Sequence, residues 1–388
     1  MLLINAKIYT MDAEIIENGY IFVEEKKIKK VGKMLELNFH DENTIDLQGR
    51  SVYPGFIDAH THMGLFENGL GFEGEDGNEY TDPSTPQLRA LDAVNPMDKS
   101  FEEALLAGVT TVITGPGSAN PIGGQLLAMK TAGVCVDDMV IKEPVAIKFA
   151  FGENPKMIYN EKSQTPMTRM ATAAIIREQL AKAKRYLAEK NKAEETPSEY
   201  DLPEYDAKCE ALIPLLKKEI SAHIHAHRAD DIFTAIRIAK EFDINYVIVH
   251  ATEGHLIAEK LKKEKVQILS GPILSDRSKP ELVNLSPKTA GILSGNEISL
   301  AITTDHPETP IQYLPLCAAV AIREGMDYYE AVKAITITPA KICGISDRVG
   351  SISVGRDADL VVFENSPFDI MKKPLLIMCD GEIKNNFI

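Results

Sequence analysis

Hydrophobic and polar residues alternate along the first stretch of the chain. Leu2-Leu3-Ile4-Asn5-Ala6-Lys7-Ile8-Tyr9 and Tyr20-Ile21-Phe22-Val23-Glu24-Glu25 are rich in β-branched or aromatic residues, and Lys26-Lys27 leads on to Ile28-Lys29-Lys30-Val31-Gly32. Short alternating runs with turn-like breaks predict strands. The other end has the same texture, in Asp359-Leu360-Val361-Val362-Phe363 and in residues 376–383. The two ends are therefore expected to pair into one small β-domain, residues 1–52 with 346–388, around a separate body over 53–345.

That body alternates short apolar runs with helical patterns. Strands are expected at 55–60, 110–114, 125–130, 145–150, 222–225, 246–250, 266–270 and 298–304, and helices at 170–188, 231–242 and 328–336. Ile232, Ala235, Ile236, Ala239 and Phe242 fall on one helical face. Asp230 and Asp231 sit at that helix's start, where its dipole favours negative charge. Repeated strand–helix units of this extent predict an α/β fold: a (β/α)8 TIM barrel carrying a small discontinuous β-sandwich domain made by both chain ends. A doubly wound sheet is the alternative, but no GxGxxG follows a strand. The charged stretch 182–218 suits surface helices joined by a loop at Thr196-Pro197.

Composition narrows the class of function. The 388 residues are 44% hydrophobic and 26% charged, which suits a globular protein with a sizeable core. A net charge of −15 argues against a nucleic-acid partner. Trp is absent and aromatics make up only 6%, so a base-stacking surface is disfavoured. The five cysteines are scattered, with no CxxC pair, so free thiols in a reducing cytoplasm are expected rather than a zinc ribbon or disulfide frame. Neither a signal peptide nor a membrane span is apparent, so no membrane partner is expected. Homo-oligomer formation stays open.

Chemistry concentrates at the strand ends. In Val52-Tyr53-Pro54-Gly55-Phe56-Ile57-Asp58-Ala59-His60-Thr61-His62, alternation puts Asp58, His60 and His62 on one face. Two imidazoles one pleat apart can clasp a metal ion, with Asp58 behind them, but two unrelated histidines explain the tripeptide equally well. Three further strand ends alter that balance. Residues 220–227 carry His223, His225 and His227 on one face, Tyr246–His250 ends on His250, and 300–307 ends on Asp305. Seven of the nine histidines, all but His40 and His255, lie at such ends. Barrel strands converge on one mouth, and neutral imidazoles with a carboxylate there suit zinc, with Fe, Mn or Ni as other divalent choices. Lys148 stands alone inside the apolar run 145–151. An unpaired buried ammonium is costly, so it either serves the site or escapes by snorkelling or pairing with an acid such as Glu143.

Pro54-Gly55-Phe56-Ile57-Asp58-Ala59-His60-Thr61-His62 resembles the first-strand motif of the amidohydrolase superfamily. Residues 350–362, Gly-Ser-Ile-Ser-Val-Gly-Arg-Asp-Ala-Asp-Leu-Val-Val, resemble its closing motif, and 338–345 the helix before it. The resemblance spans nearly the whole chain. Residues 115–124, 151–156 and 225–231 are most similar to the imidazolonepropionase and prolidase-like branch. It implies a small-molecule substrate and a hydrolase acting on carbon–nitrogen bonds: an amide, a cyclic amide or a dipeptide-like compound.

The implied metal ligands are His60, His62, Lys148, His225, His250 and Asp305. Lys148 would be carboxylated on nitrogen and would bridge two ions, with Glu153 as its rival. Asp305 would also carry the proton, and His250 would bind the second ion or polarise the substrate. His227 rivals His225 and otherwise touches substrate, while His223 lies deeper. Arg228, Arg277 and Lys279 follow strands five and seven and are candidates to hold a substrate carboxylate. The acidic loop 64–98 is a candidate cover for the mouth that would favour a cationic group, though a solvated surface loop is the plainer reading; the small-residue run 118–125 is a candidate pocket lining, which a tight loop with no ligand explains equally well. A deaminase is the alternative enzyme, but its His-x-x-Glu spacing meets Arg228 here instead of a glutamate. A silent scaffold on the same barrel is the alternative of another class.

Overall fold

Gly55 separates two strands that belong to different sheets of the computed structural model, which describes residues 1–67 and 69–388. Ser51–Pro54 pairs in parallel with Leu2–Ile8 and antiparallel with Leu360–Phe363. One residue later β1, Phe56–Thr61, enters the barrel. A Cβ on Gly55 would stand 2.1 Å from Thr110 Oγ1, so no larger residue fits at this crossing.

Both chain ends contribute to one eight-stranded sheet. Its order is Glu382–Asn386, Leu376–Cys379, Leu360–Phe363, Ser51–Pro54, Leu2–Ile8, Ile16–Glu24 and Lys27–Lys33, with Thr44–Asp46 also on Leu2–Ile8. Leu3, Ile8, Ile21, Val52, Leu360 and Met378 form its buried core. Lys130 ties this sheet to the barrel. Its Nζ stands 3.1 Å from Asp357, 2.6 Å from Asp359 and 2.9 Å from Asp380, and it is almost fully buried. Burial alone would lower the Lys130 pKa, but Asp359 and the neighbouring acids outweigh it and hold the ammonium charged.

The second sheet is TIM-barrel-like, with eight strands in sequence order. After β1 come β2 (Val109–Thr114), β3 (Ile122–Lys130), β4 (Val140–Ala150), β5 (Ser221–Ala226), β6 (Tyr246–His250), β7 (Gln267–Ser270) and β8 (Leu300–Ile302). The ends meet where His62 N donates to His306 O at 2.9 Å. A fully parallel (β/α)8 pattern does not hold, because β3 runs antiparallel to both β2 and β4. The cause is loop length. Only residues 115–121 join β2 to β3, and 131–139 join β3 to β4. A parallel crossover needs a dozen residues or more.

The helices largely follow the apolar pattern. Ala229–Phe242 buries Ile232, Ala235, Ile236 and Ala239. Arg169–Glu195 runs on to Thr196, just before Pro197, and Ala207–Leu216 follows. The helix expected at 328–336 ends earlier, as Tyr328–Ala334, with Ile337–Ile342 behind it. The strand expected at 298–304 is shorter, Leu300–Ile302: Thr303 N still donates to Ser270 O, but Thr304 N turns to Asp58. No helix among the described residues is long and apolar enough to cross a membrane.

Candidate metal centre

Asp58 organises the first strand end from below. It accepts hydrogen bonds from His60 N at 3.1 Å, Thr304 N at 2.9 Å, Thr304 Oγ1 at 2.6 Å and Thr303 Oγ1. Thr303 Oγ1 also lies 2.6 Å from His60 O. One buried carboxylate thus pins the end of β1 to the end of β8. Burial raises its pKa to about 6, with these hydrogen bonds pulling the other way.

Two sets of donors stand above this support. His60, His62 and Asp305 form the first, with Asp305 Oδ1 3.2 Å from His60 Nε2 and 3.4 Å from His62 Nε2. His225, His227 and His250 form the second. In each set the three donor atoms lie within 4.8 Å of one another. The sets adjoin, since the His60 and His250 rings are 5.5 Å apart. His227 stacks on His250 at 4.5 Å, and His225 packs edge-on at 4.5 Å from His250.

Backbone carbonyls fix which nitrogen faces inward. His62 Nδ1 is 2.7 Å from Gly115 O, and His250 Nδ1 is 2.7 Å from Gly271 O. A carbonyl can only accept, so each Nδ1 carries a proton and each Nε2 is the nitrogen turned toward the site. His227 Nδ1 is held by Thr252 Oγ1 at 2.6 Å. His250, Ala251 and Asp305 adopt left-handed backbone conformations, with φ of 73°, 47° and 55°. Such strain persists only where the surroundings enforce it, and it falls here on two donor residues.

The donor chemistry fits divalent ions. His225 Nε2 and Asp305 Oδ1 are buried and make no hydrogen bond in the described structure. Burial lowers the His250 pKa to about 4 and holds His60, His225 and His227 well below the ordinary range, so these imidazoles are neutral at pH 7. Neutral imidazole is the ligand form. Burial would raise Asp305, but His250 and the contacts with His60 and His62 outweigh it and keep Asp305 ionised. Lys148 is fully buried, with Nζ 3.0 Å from His60 Nε2, and burial lowers its pKa to about 8. Among the described residues no acid forms an ion pair with it: Glu143 contacts Arg89 instead. His223 sits opposite Lys148 in the β4–β5 register and joins neither set.

A cavity of about 420 Å³ opens over the donors, lined by His62, His225, His227 and Asp305 among others. The acidic loop contributes Phe66 and Asn78 to it but none of its acids, and Gly117 and Ser118 also reach it. Neither arginine expected to hold substrate is brought into the cavity. Arg228 caps the next helix and turns outward to Asp230 at 2.9 Å, and Arg277 donates to Leu285 O at 2.6 Å on the surface. The cation on the lining is Lys279. Glu153 joins neither donor set; it exchanges backbone contacts with Glu281 at 3.0 and 3.3 Å.

Glu281 is the residue that strand-end reasoning missed. It is 1% exposed, and its Oε1 lies 3.6 Å from His227 Nε2, 3.8 Å from His225 Nε2 and 2.8 Å from Lys279 Nζ. It lies on the long loop after β7, where charged residues ordinarily face solvent, so the chain pattern carries no signal for it.

A family model described as "Amidohydrolase family" matches residues 51–385. Amidohydrolase tasK from Hapsidospora irregularis is 28% identical over 94% of this chain, which spans only 39% of that longer protein. The imidazolonepropionase of Fusobacterium nucleatum is 26% identical, over 90% of this chain and 86% of its own. The crystal structure of an amidohydrolase from Thermotoga maritima MSB8 superposes with a TM-score of 0.94 at 42% identity, covering 99% of both chains.

Proposed function

Because the chain belongs to the amidohydrolase family and is a hydrolase acting on carbon–nitrogen bonds, we propose that it cleaves an amide, cyclic amide or dipeptide-like substrate at a two-ion centre. One observation carries this reading. Two adjoining donor sets, with buried lone pairs left without hydrogen bonds, face one cavity. His60, His62 and Asp305 would hold one ion, and His225 and His250 the other, with His227 beside them. Zinc suits this nitrogen- and oxygen-rich set. When bound, such ions acidify water and polarise a carbonyl.

The chain's own residues supply the rest. Asp305 is ionised and lines the cavity, so its carboxylate is placed to take a proton from the attacking water and return it to the departing nitrogen. His62 and His250 are locked by carbonyls, so their lone pairs stay aimed during turnover. Lys148, carboxylated on Nζ, would exchange a costly buried ammonium for an anion between the two sets. Residues 53–345 form the catalytic barrel in this reading, and 1–52 with 346–388 brace it through Lys130.

Hydrolysis assays test the proposal. Zinc-loaded and metal-stripped protein would be compared on acyl-amino acids, dipeptides, lactams and hydantoins. Release of a new amine or acid by the loaded form alone is expected. Equal rates in both forms would overturn it.

A further inference from the structure

The walls of the cavity carry charge in a lopsided way. Asp305 and Glu308 are the acids on the lining, and Lys279 is the one permanent cation among the described lining residues. Its ammonium is held in place. Nζ contacts Glu281 Oε1 at 2.8 Å and donates to Asn154 Oδ1 at 2.9 Å, while Asn154 Nδ2 in turn donates to Ser118 Oγ at 2.7 Å. Glu281 is itself fixed by Glu153 N at 3.0 Å and has no room to follow a ligand. An ammonium has three donors. One is spent on Asn154 while Glu281 meets the ammonium as an ion pair, and the side chain remains about a quarter exposed at the cavity.

We propose that Lys279 selects substrates bearing a free carboxylate, with Glu281 and Asn154 as positioning residues. This rests on the hydrolytic reading above and names its substrate class: an acid whose carbon–nitrogen bond lies over the donor sets while its carboxylate meets Lys279. Glu308 on the lining favours that orientation, because it repels a carboxylate placed on its side. A pre-oriented cation also loses little side-chain entropy on binding.

Calorimetry on zinc-loaded protein tests this with N-acetyl amino acids and the matching C-terminal carboxamides, which are close in shape but uncharged. The acids are expected to bind at least tenfold more tightly. Lys279→Met is expected to abolish that preference and leave carboxamide binding within twofold. It leaves Glu281 buried without its partner, so Lys279→Met/Glu281→Gln, which removes both charges, is measured beside it. Glu281→Gln alone is expected to weaken acid binding severalfold, and Arg228→Ala to change nothing. Equal affinity for acids and carboxamides, or a preference that survives the double variant, overturns the proposal. Tight, Lys279-dependent binding of acids that are never cleaved would support Lys279 and count against the hydrolytic reading, so the two failures are distinguishable.

Discussion

Replacing Lys148 by Met should make the metal-stripped protein more stable. Lys148 is completely buried, and burial lowers its pKa from the ordinary 10.5 to about 8, with Asp305 only partly offsetting it. At about 1.4 kcal/mol per pK unit, that shift is a penalty of about 3 kcal/mol on the charged form. Met keeps a similar unbranched stem, and the lost contact to His60 Nε2 returns about 1 kcal/mol to the other side. The net expectation at pH 7 is a gain of roughly 2 kcal/mol. The sign also fixes the pH window. A lysine with a lowered folded pKa is penalised fully below about pH 8, and the penalty disappears as pH climbs to 10.5. Urea unfolding of both metal-stripped proteins at pH 7 and pH 10 measures this. The advantage of Lys148→Met should shrink markedly at pH 10. A variant less stable than the parent at pH 7, with a difference independent of pH, would refute the buried-ammonium account.

Other expectations concern the donors and their supports. His60→Ala or Asp305→Ala should lower turnover at least about a thousandfold with an unchanged circular dichroism spectrum, and near-parental turnover in either would remove that residue from the centre. The metal-free protein should lose stability as pH falls from 6.5 toward 4, because His250 and His223, at about 4 and about 3, stay neutral when folded but charge when unfolded. Denaturant midpoints that stay flat over that window would contradict this. Lys130→Met should cost about 3 kcal/mol by leaving the buried Asp359 without its cation, and calorimetric melting of the variant checks it.

Much of this site was legible because strand-end residues obey a two-residue period. His60 and His62, His225 and His227, His250 and Asp305 were each placed by alternation and by the convergence of barrel strands. Position along a strand could not show that His225 and His227 both stand beside His250, because that depends on how the rings rotate. The antiparallel β3 was missed for another reason: its apolar run has the same texture in either direction, and only the short connections on each side decide. Arg228 looked well placed by sequence distance, yet its nearest acid, Asp230, lies two residues on and draws it to the surface. Lys279 was a candidate from its place after β7 and does line the cavity, whereas Glu281 reaches the site through loop geometry, which no periodicity encodes.

The central claim is a two-ion centre that performs hydrolysis. It is tested most directly by titrating zinc into metal-stripped protein while counting bound equivalents and measuring cleavage of a carbon–nitrogen substrate. The expected result is two equivalents per chain, with activity rising as they bind and with bicarbonate aiding reconstitution through Lys148. Full activity with one equivalent, or turnover with none, would contradict the account.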